Sequence, residues 1–116
     1  MEEYAVGFDF GSLSVRGLLV NVQTGEELCA AVYNYPHGIM SEALPDGTAI
    51  PQTFALQHPL DYLMGIAFCS KKLLRETGIA PEQIIGIGID STASTIMPVD
   101  DAGVPLCLKT EFRSNP

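Results

Sequence analysis

Apolar and β-branched residues run from Tyr4 to Asp9, from Val15 to Val22 and from Leu28 to Tyr35. The cluster Asp9-Phe10-Gly11-Ser12 and the stretch Gln23-Thr24-Gly25-Glu26 separate them. Short apolar runs joined by turn residues predict three strands in an antiparallel meander. From Pro36 to Pro59 the pattern breaks, with four prolines, Gly38 and Gly47, and a long loop is expected. Pro59 then suits the first turn of a helix. Leu60, Leu63, Met64, Ala67, Phe68 and Leu74 recur near helical spacing up to Gly78, which fits a C-terminal cap. Lys71, Lys72 and Arg75 sit in its last turns, where cations complement the negative end of the helix dipole. Pro81-Glu82-Gln83 opens a short turn, and Ile84 to Ile89 is an almost wholly apolar run ending at Asp90, the pattern of a strand buried on both faces. Thr95 to Val99 and Val104 to Leu108 flank Asp100-Asp101-Ala102-Gly103 as a hairpin would, and Lys109 to Pro116 is a polar tail without predicted structure.

Composition narrows the class. The 116 residues are 47% hydrophobic and 17% charged, enough apolar surface for one folded domain and too much for a disordered chain. Six basic against fourteen acidic side chains give a net charge of -8, which argues against nucleic acid as a partner. Any phosphorylated ligand must then be held by local backbone N–H groups, a metal or a few placed cations. Cys29, Cys69 and Cys107 lack the spacing of a zinc site or a disulfide framework and are expected to be reduced. The first residues carry no basic leader, and no apolar run reaches a membrane-spanning length, so a cytoplasmic location without membrane partners is the expectation.

Two turns could carry chemistry. In Asp9-Phe10-Gly11-Ser12-Leu13-Ser14-Val15-Arg16 an acid ends a strand, a glycine frees the backbone, and two hydroxyls and an arginine follow. Turn N–H groups with Ser12 and Ser14 can donate to phosphate oxygens, Arg16 can add a charge-assisted bond, and Asp9 can hold Mg²⁺ through water. A plain hairpin turn with Asp9 as its cap uses the same residues equally well. The segment is neither a Walker loop nor a GxGxxG fingerprint. The second turn, Asp90-Ser91-Thr92-Ala93-Ser94-Thr95, places hydroxyls past the carboxyl end of a strand, where a polyol could bind; a capped polar turn is its simpler reading. His37 and His58 lie in or beside the proline-rich loop with no nucleophile elbow, which points to surface or capping roles rather than a hydrolase triad. Glu26, Glu27, Glu42, Asp46, Asp100 and Asp101 read as solvated acids.

The run from Tyr4 to Val20, with its Gly-Phe-Asp-Phe-Gly-Ser-Leu-Ser-Val-Arg core, resembles the start of the FGGY family of carbohydrate kinases. The segments from Ile85 to Gly103 and from Pro105 to Pro116 resemble a pentulose kinase of that family, so the likeness covers essentially the whole chain. The resemblance implies an α/β chain with part of the actin-like, ribonuclease-H-like ATPase fold: β-meander, crossover helix, buried central strand and hairpin. It implies ATP and Mg²⁺ as cofactors and a small sugar as acceptor. Asp9 would serve the metal through water, with Gly11, Ser12, Leu13, Ser14 and Arg16 around the terminal phosphates. Leu13 stands where some relatives carry threonine, so only its backbone N–H could contribute. Ser91, Thr92, Ala93 and Ser94 would face the sugar.

Family members are several times longer. Residues 1–116 would be the amino-terminal part of the first lobe, with the general base, the adenosine pocket and the second lobe expected beyond Pro116. No catalytic base is expected within the chain. Alone it is expected to be inactive and, with apolar surface uncovered, to self-associate. The alternatives are a sugar kinase of another specificity and a non-catalytic actin-like binding module.

Overall fold

In the computed structural model, which describes residues 1–116, β1 (Tyr4–Phe10), β2 (Ser14–Asn21) and β3 (Glu27–Asn34) form the antiparallel meander. Helix α1 (Pro59–Thr77) crosses over to β4 (Ile84–Ser91), which pairs parallel with β1, giving the sheet order β3-β2-β1-β4. Asn21 tightens the β2–β3 turn, its side-chain oxygen accepting from the N–H groups of Gln23 (2.9 Å) and Thr24 (3.1 Å), and Gly25 supplies the positive φ of 74°.

Strand alternation sorts β1 into two faces. Tyr4, Val6, Phe8 and Phe10 are buried under α1 with Val15 and Leu19 of β2 and Ala31 of β3, while Ala5, Gly7 and Asp9 face the uncovered side. The helix begins where His58 accepts from the Leu60 N–H (3.2 Å) with Pro59 in the first turn. It ends at Gly78, whose φ of 71° is the left-handed cap and whose N–H reaches the Leu74 carbonyl (2.9 Å).

The helix contacts the sheet on a face other than the one its apolar spacing suggests. Asp61, Gly65, Cys69 and Leu73, four residues apart, are buried, whereas Leu60, Leu63, Met64 and Phe68 are exposed. The reason is close approach: a Cβ on Gly65 would overlap the Val15 side chain, and one on Gly17 would lie 3.0 Å from Cys69 Cβ. Small residues on both elements bring the backbones together, and larger residues are left outside.

Two further expectations are corrected. The apolar run Ile84–Ile89 is not a buried central strand; β4 is an edge strand, and Ile85, Ile87 and Ile89 are 58–68% exposed. No fifth strand pairs with it and α1 does not extend over it. The predicted hairpin is reduced to one antiparallel bridge, Val99 to Pro105, because Leu106–Leu108 turns into a 3₁₀ helix. Asp100 organises that turn rather than standing free in solvent, accepting from the N–H groups of Ala102 and Val104 (both 2.9 Å) and from Lys109 (2.7 Å).

Tyr35 is buried against Tyr62, and its hydroxyl is a buried side-chain group without a hydrogen-bond partner. Burial, followed by the nearby Tyr62, Asp61 and Asp9, pushes the phenol up to about 12.

Gly65→Ala is expected to lower the unfolding free energy by about 1–3 kcal/mol through overpacking, outweighing a helix-propensity gain of about 1 kcal/mol. Tyr35→Phe is expected to raise it by about 1 kcal/mol, because an unsatisfied buried hydroxyl is removed without leaving a cavity. Urea denaturation checks both, and a stabilised Gly65→Ala or a destabilised Tyr35→Phe would contradict the packing described.

Candidate functional site

The parallel pairing of β1 and β4 brings both candidate turns to one end of the sheet. Asp9 lies opposite Asp90 on β4 and opposite Arg16 on β2, all three exposed and on the uncovered face. None of them takes part in an ion pair within the chain. Facing residues on adjacent strands have Cβ atoms about 5 Å apart, so two carboxylates and a guanidinium share one patch.

Gly11, Ser12 and Leu13 form the turn between β1 and β2, and Ser14 begins β2. The turn is closed by the Gly11 N–H on the Ser14 carbonyl (2.8 Å). A Cβ on Gly11 would sit 3.1 Å from that carbonyl, which is why glycine suits the position. The Ser12 carbonyl accepts from Gln57 Nε2 (2.8 Å) and the Leu13 carbonyl from the Tyr35 N–H (2.9 Å). The N–H groups of Ser12 and Leu13 have no acceptor in the chain and remain available to an anion. The Leu13 side chain is exposed and contributes no donor.

The second turn starts at Ser91, the last residue of β4, and is tied to β1 by the Thr92 N–H on the Phe10 carbonyl (3.0 Å). Asp90 accepts from the Ser91 N–H (2.9 Å). Ser94 has a φ of 65°, the one non-glycine residue in the left-handed region, an arrangement that costs about 1–3 kcal/mol and concentrates at ligand-binding turns. Thr92, Ala93 and Ser94 join Ser12, Gln57 and His58 around a cleft of about 1030 Å³, whose further wall comes from the 36–59 loop and residues 106–116. Ser91 is separated from Asp9: it shares the α1 side of the sheet with Phe10.

Two clasps hold the loop. Asp61, buried on α1, accepts from the His37 N–H (3.1 Å) with one oxygen and meets His37 Nδ1 (2.7 Å) with the other. The His37 ring stacks on His58, with centroids 4.1 Å apart and planes 14° apart. Ligand atoms of the three residues lie within 4.8 Å of one another. The near-parallel rings, however, keep their in-plane nitrogen lone pairs from converging on one ion, and His58 Nδ1 is already the helix cap. Burial, with His37 second, lowers the His58 pKa, which favours the neutral ring that the cap uses. His58 therefore caps the helix as the sequence suggests, and His37 anchors the loop to Asp61, a buried partner that sequence reasoning missed because a lone Asp in a first helical turn signals only dipole compensation.

Midway along the loop Asp46 accepts from the Ser114 hydroxyl and the Thr48 N–H (2.9 Å). These bonds, Ser114 first, hold its carboxyl at about 2. Gln57 and Tyr62 are further site residues that motif reading did not single out, since neither lies in a turn motif; Asp90 and Thr95 lie within the second turn that the sequence offers.

The chain matches no protein-family model. It is 42% identical over 116 residues to a ribulokinase of Geobacillus thermodenitrificans, covering 99% of this chain and 20% of that protein. It is 46% identical over 105 residues to one of Bacillus licheniformis, covering 90% and 19%. This chain is similar to ribulokinases over its whole length. The ribulokinase-like segment spans about a fifth of those relatives. A solved xyloylose kinase from Brucella ovis superposes with a TM-score of 0.68 at 19% identity, over 90% of this chain and 20% of that one. The ribulokinase-like chain therefore shares the fold of part of that sugar kinase.

The Asp46 pKa is lowered by folding, so its bonds to Ser114 and Thr48 are at full strength above the ordinary carboxylate value of 3.8 and are lost as pH falls through about 2. The Thr48 amide resonance should shift across that window and stay constant from pH 7 to pH 5. A flat pH profile below 3.8 would show that the clasp does not form.

Proposed function

We propose that the chain supplies the phosphate turn and part of the sugar site of an ATP-dependent kinase that phosphorylates L-ribulose to L-ribulose 5-phosphate. The observation that carries this reading is the meeting, at one end of the sheet, of the Asp9–Arg16–Asp90 patch with two turns that keep unpaired N–H groups. Similarity to proteins named ribulokinase supplies the acceptor; the alternative, a different sugar specificity such as xylulose, is consistent with the xyloylose kinase neighbour but is not favoured by it.

The donor set fits a Mg²⁺–ATP terminus. Asp9 offers a free carboxylate, which hard cations take directly or through water, and the Ser12 and Leu13 N–H groups, the Ser14 hydroxyl and Arg16 suit phosphate oxygens. Mg²⁺, when bound, offsets charge on the transferring phosphoryl group. The patch thereby makes a local exception to the net charge of -8. Ser91, Thr92, Ala93 and Ser94 lie where the sugar hydroxyls would bind, on the second turn. In the transfer, the sugar oxygen forms a bond to the γ-phosphorus, the bond to the β–γ bridging oxygen breaks, and the sugar proton passes to a base that these residues do not supply. The exposed row Ile85, Ile87 and Ile89 supports the further reading that the first lobe continues beyond these residues and that the chain alone self-associates; with no base among these residues, the chain alone is inactive.

In a kinase of the relatives' length carrying these residues, Asp9→Asn is expected to lower ribulose-dependent ADP formation at least tenfold, about 1.4 kcal/mol in the barrier. Arg16→Ala should weaken nucleotide affinity and leave sugar affinity unchanged. A coupled ADP assay checks both, and full turnover of Asp9→Asn at saturating Mg-ATP would remove Asp9 from the site.

A further inference from the structure

Tyr62 on α1 connects the two turns, and the direction of its hydrogen bonding is determined by its neighbours. Gln57 donates Nε2 to the Ser12 carbonyl, which only accepts, so the Gln57 amide oxygen is the end that meets Tyr62. That oxygen also only accepts, so the Tyr62 hydroxyl donates to it. The phenol's single proton is thereby committed, and what remains of Tyr62 Oη is acceptor capacity.

Beside that oxygen lies a cavity of about 210 Å³ lined by Phe10, Tyr62, Ser91, Thr92 and Thr95. The Phe10 and Tyr62 rings meet edge-on at 5.8 Å and 87° and give it apolar walls. The Thr92 and Thr95 hydroxyls, 3.3 Å apart, line it with Ser91. Aromatic walls against C–H groups, with a few convergent hydroxyls and one acceptor, are the recognition chemistry of a polyol. The cavity lies on the α1 side of the strand ends, whereas Asp9 and Asp90 project from the other side. A ligand reaching both would place one end in the cavity and the other toward the phosphate patch.

Resting on the sugar-kinase reading, we propose that this cavity receives the C1 end of an open-chain ketopentose, and that Tyr62 Oη accepts a hydrogen bond from the C1 hydroxyl. Tyr62 is then a specificity-determining residue. The Thr95 hydroxyl also faces Tyr62 Oη, so a sugar lacking the C1 hydroxyl loses one of the two hydrogen bonds that this oxygen would accept and is discriminated against.

The test uses the 116-residue chain and the variant Tyr62→Phe, which keeps the ring packing against Phe10 and Tyr35. Amide NMR titrations are run with L-ribulose, with 1-deoxy-L-ribulose and, separately, with Mg-ATP. L-Ribulose is expected to shift the Ser91, Thr92 and Thr95 amides, with affinity reduced at least fivefold in Tyr62→Phe. 1-Deoxy-L-ribulose should bind both forms with the same weakened affinity, and Mg-ATP should shift Ser12 and Leu13 equally in both. Equal L-ribulose affinity for the two forms, or sugar-induced shifts confined to other residues, would overturn the proposal. If Mg-ATP shifts Ser12 and Leu13 but L-ribulose leaves the cavity residues unmoved, the cavity assignment fails while the kinase reading stands. If neither ligand shifts its site, both fail.

Discussion

The parallel pairing of β1 with β4 is the constraint on which the rest of the structure depends. Parallel neighbours cannot be joined by a tight turn, so the chain must leave the meander, cross one face of the sheet and return in the same direction. The crossover helix α1 does this, seated closely on β2 and β3 through Gly17 and Gly65, and β4 is then laid beside β1 by their pairing. In consequence the residues that follow β1 and β4 emerge at the same end, joined by the Thr92 N–H on the Phe10 carbonyl. Two turns separated by about eighty residues of sequence thereby face one cleft.

The same strand ends divide chemistry between two sides. Because side chains alternate, Asp9, Arg16 and Asp90 carry charge on the uncovered face, while Phe10 and Ser91 point toward α1 and its aromatic residues. A charged face beside an apolar, hydroxyl-rimmed cavity suits a ligand pair in which one member is polyanionic and the other a neutral polyol. The 36–59 loop closes the third side. Its conformation comes from side chains that clasp it at its start and near its middle, His37 to Asp61 and Asp46 to Ser114, together with the bridges Met40 to Leu56 and Ala43 to Ala49.

Much of this was legible in the residues themselves. The three meander strands, the helix between Pro59 and Gly78, and the strand from Ile84 follow from local apolar runs, a proline at a first turn and a glycine at a last one. Tertiary context decided the faces. Leu60, Leu63, Met64 and Phe68 form the more apolar stripe of α1, yet Gly65 and Cys69 face the sheet because only small residues permit that approach. The Ile-Gly alternation of β4 has the composition of a strand covered on both sides, and it is exposed because nothing in residues 1–116 covers it.

By itself the sequence determined the elements, their order, and the residue types gathered in the Asp9–Arg16 and Asp90–Thr95 turns, because strand, helix and turn signals are local. Only the tertiary structure decided that Asp90 stands beside Asp9, that Asp61 receives both the His37 backbone and its ring, and that Gln57 and Tyr62 join Ser12 to the second turn. Those contacts unite residues remote along the chain. Their partners are selected by register and by the closeness of helix to sheet, neither of which any single segment encodes.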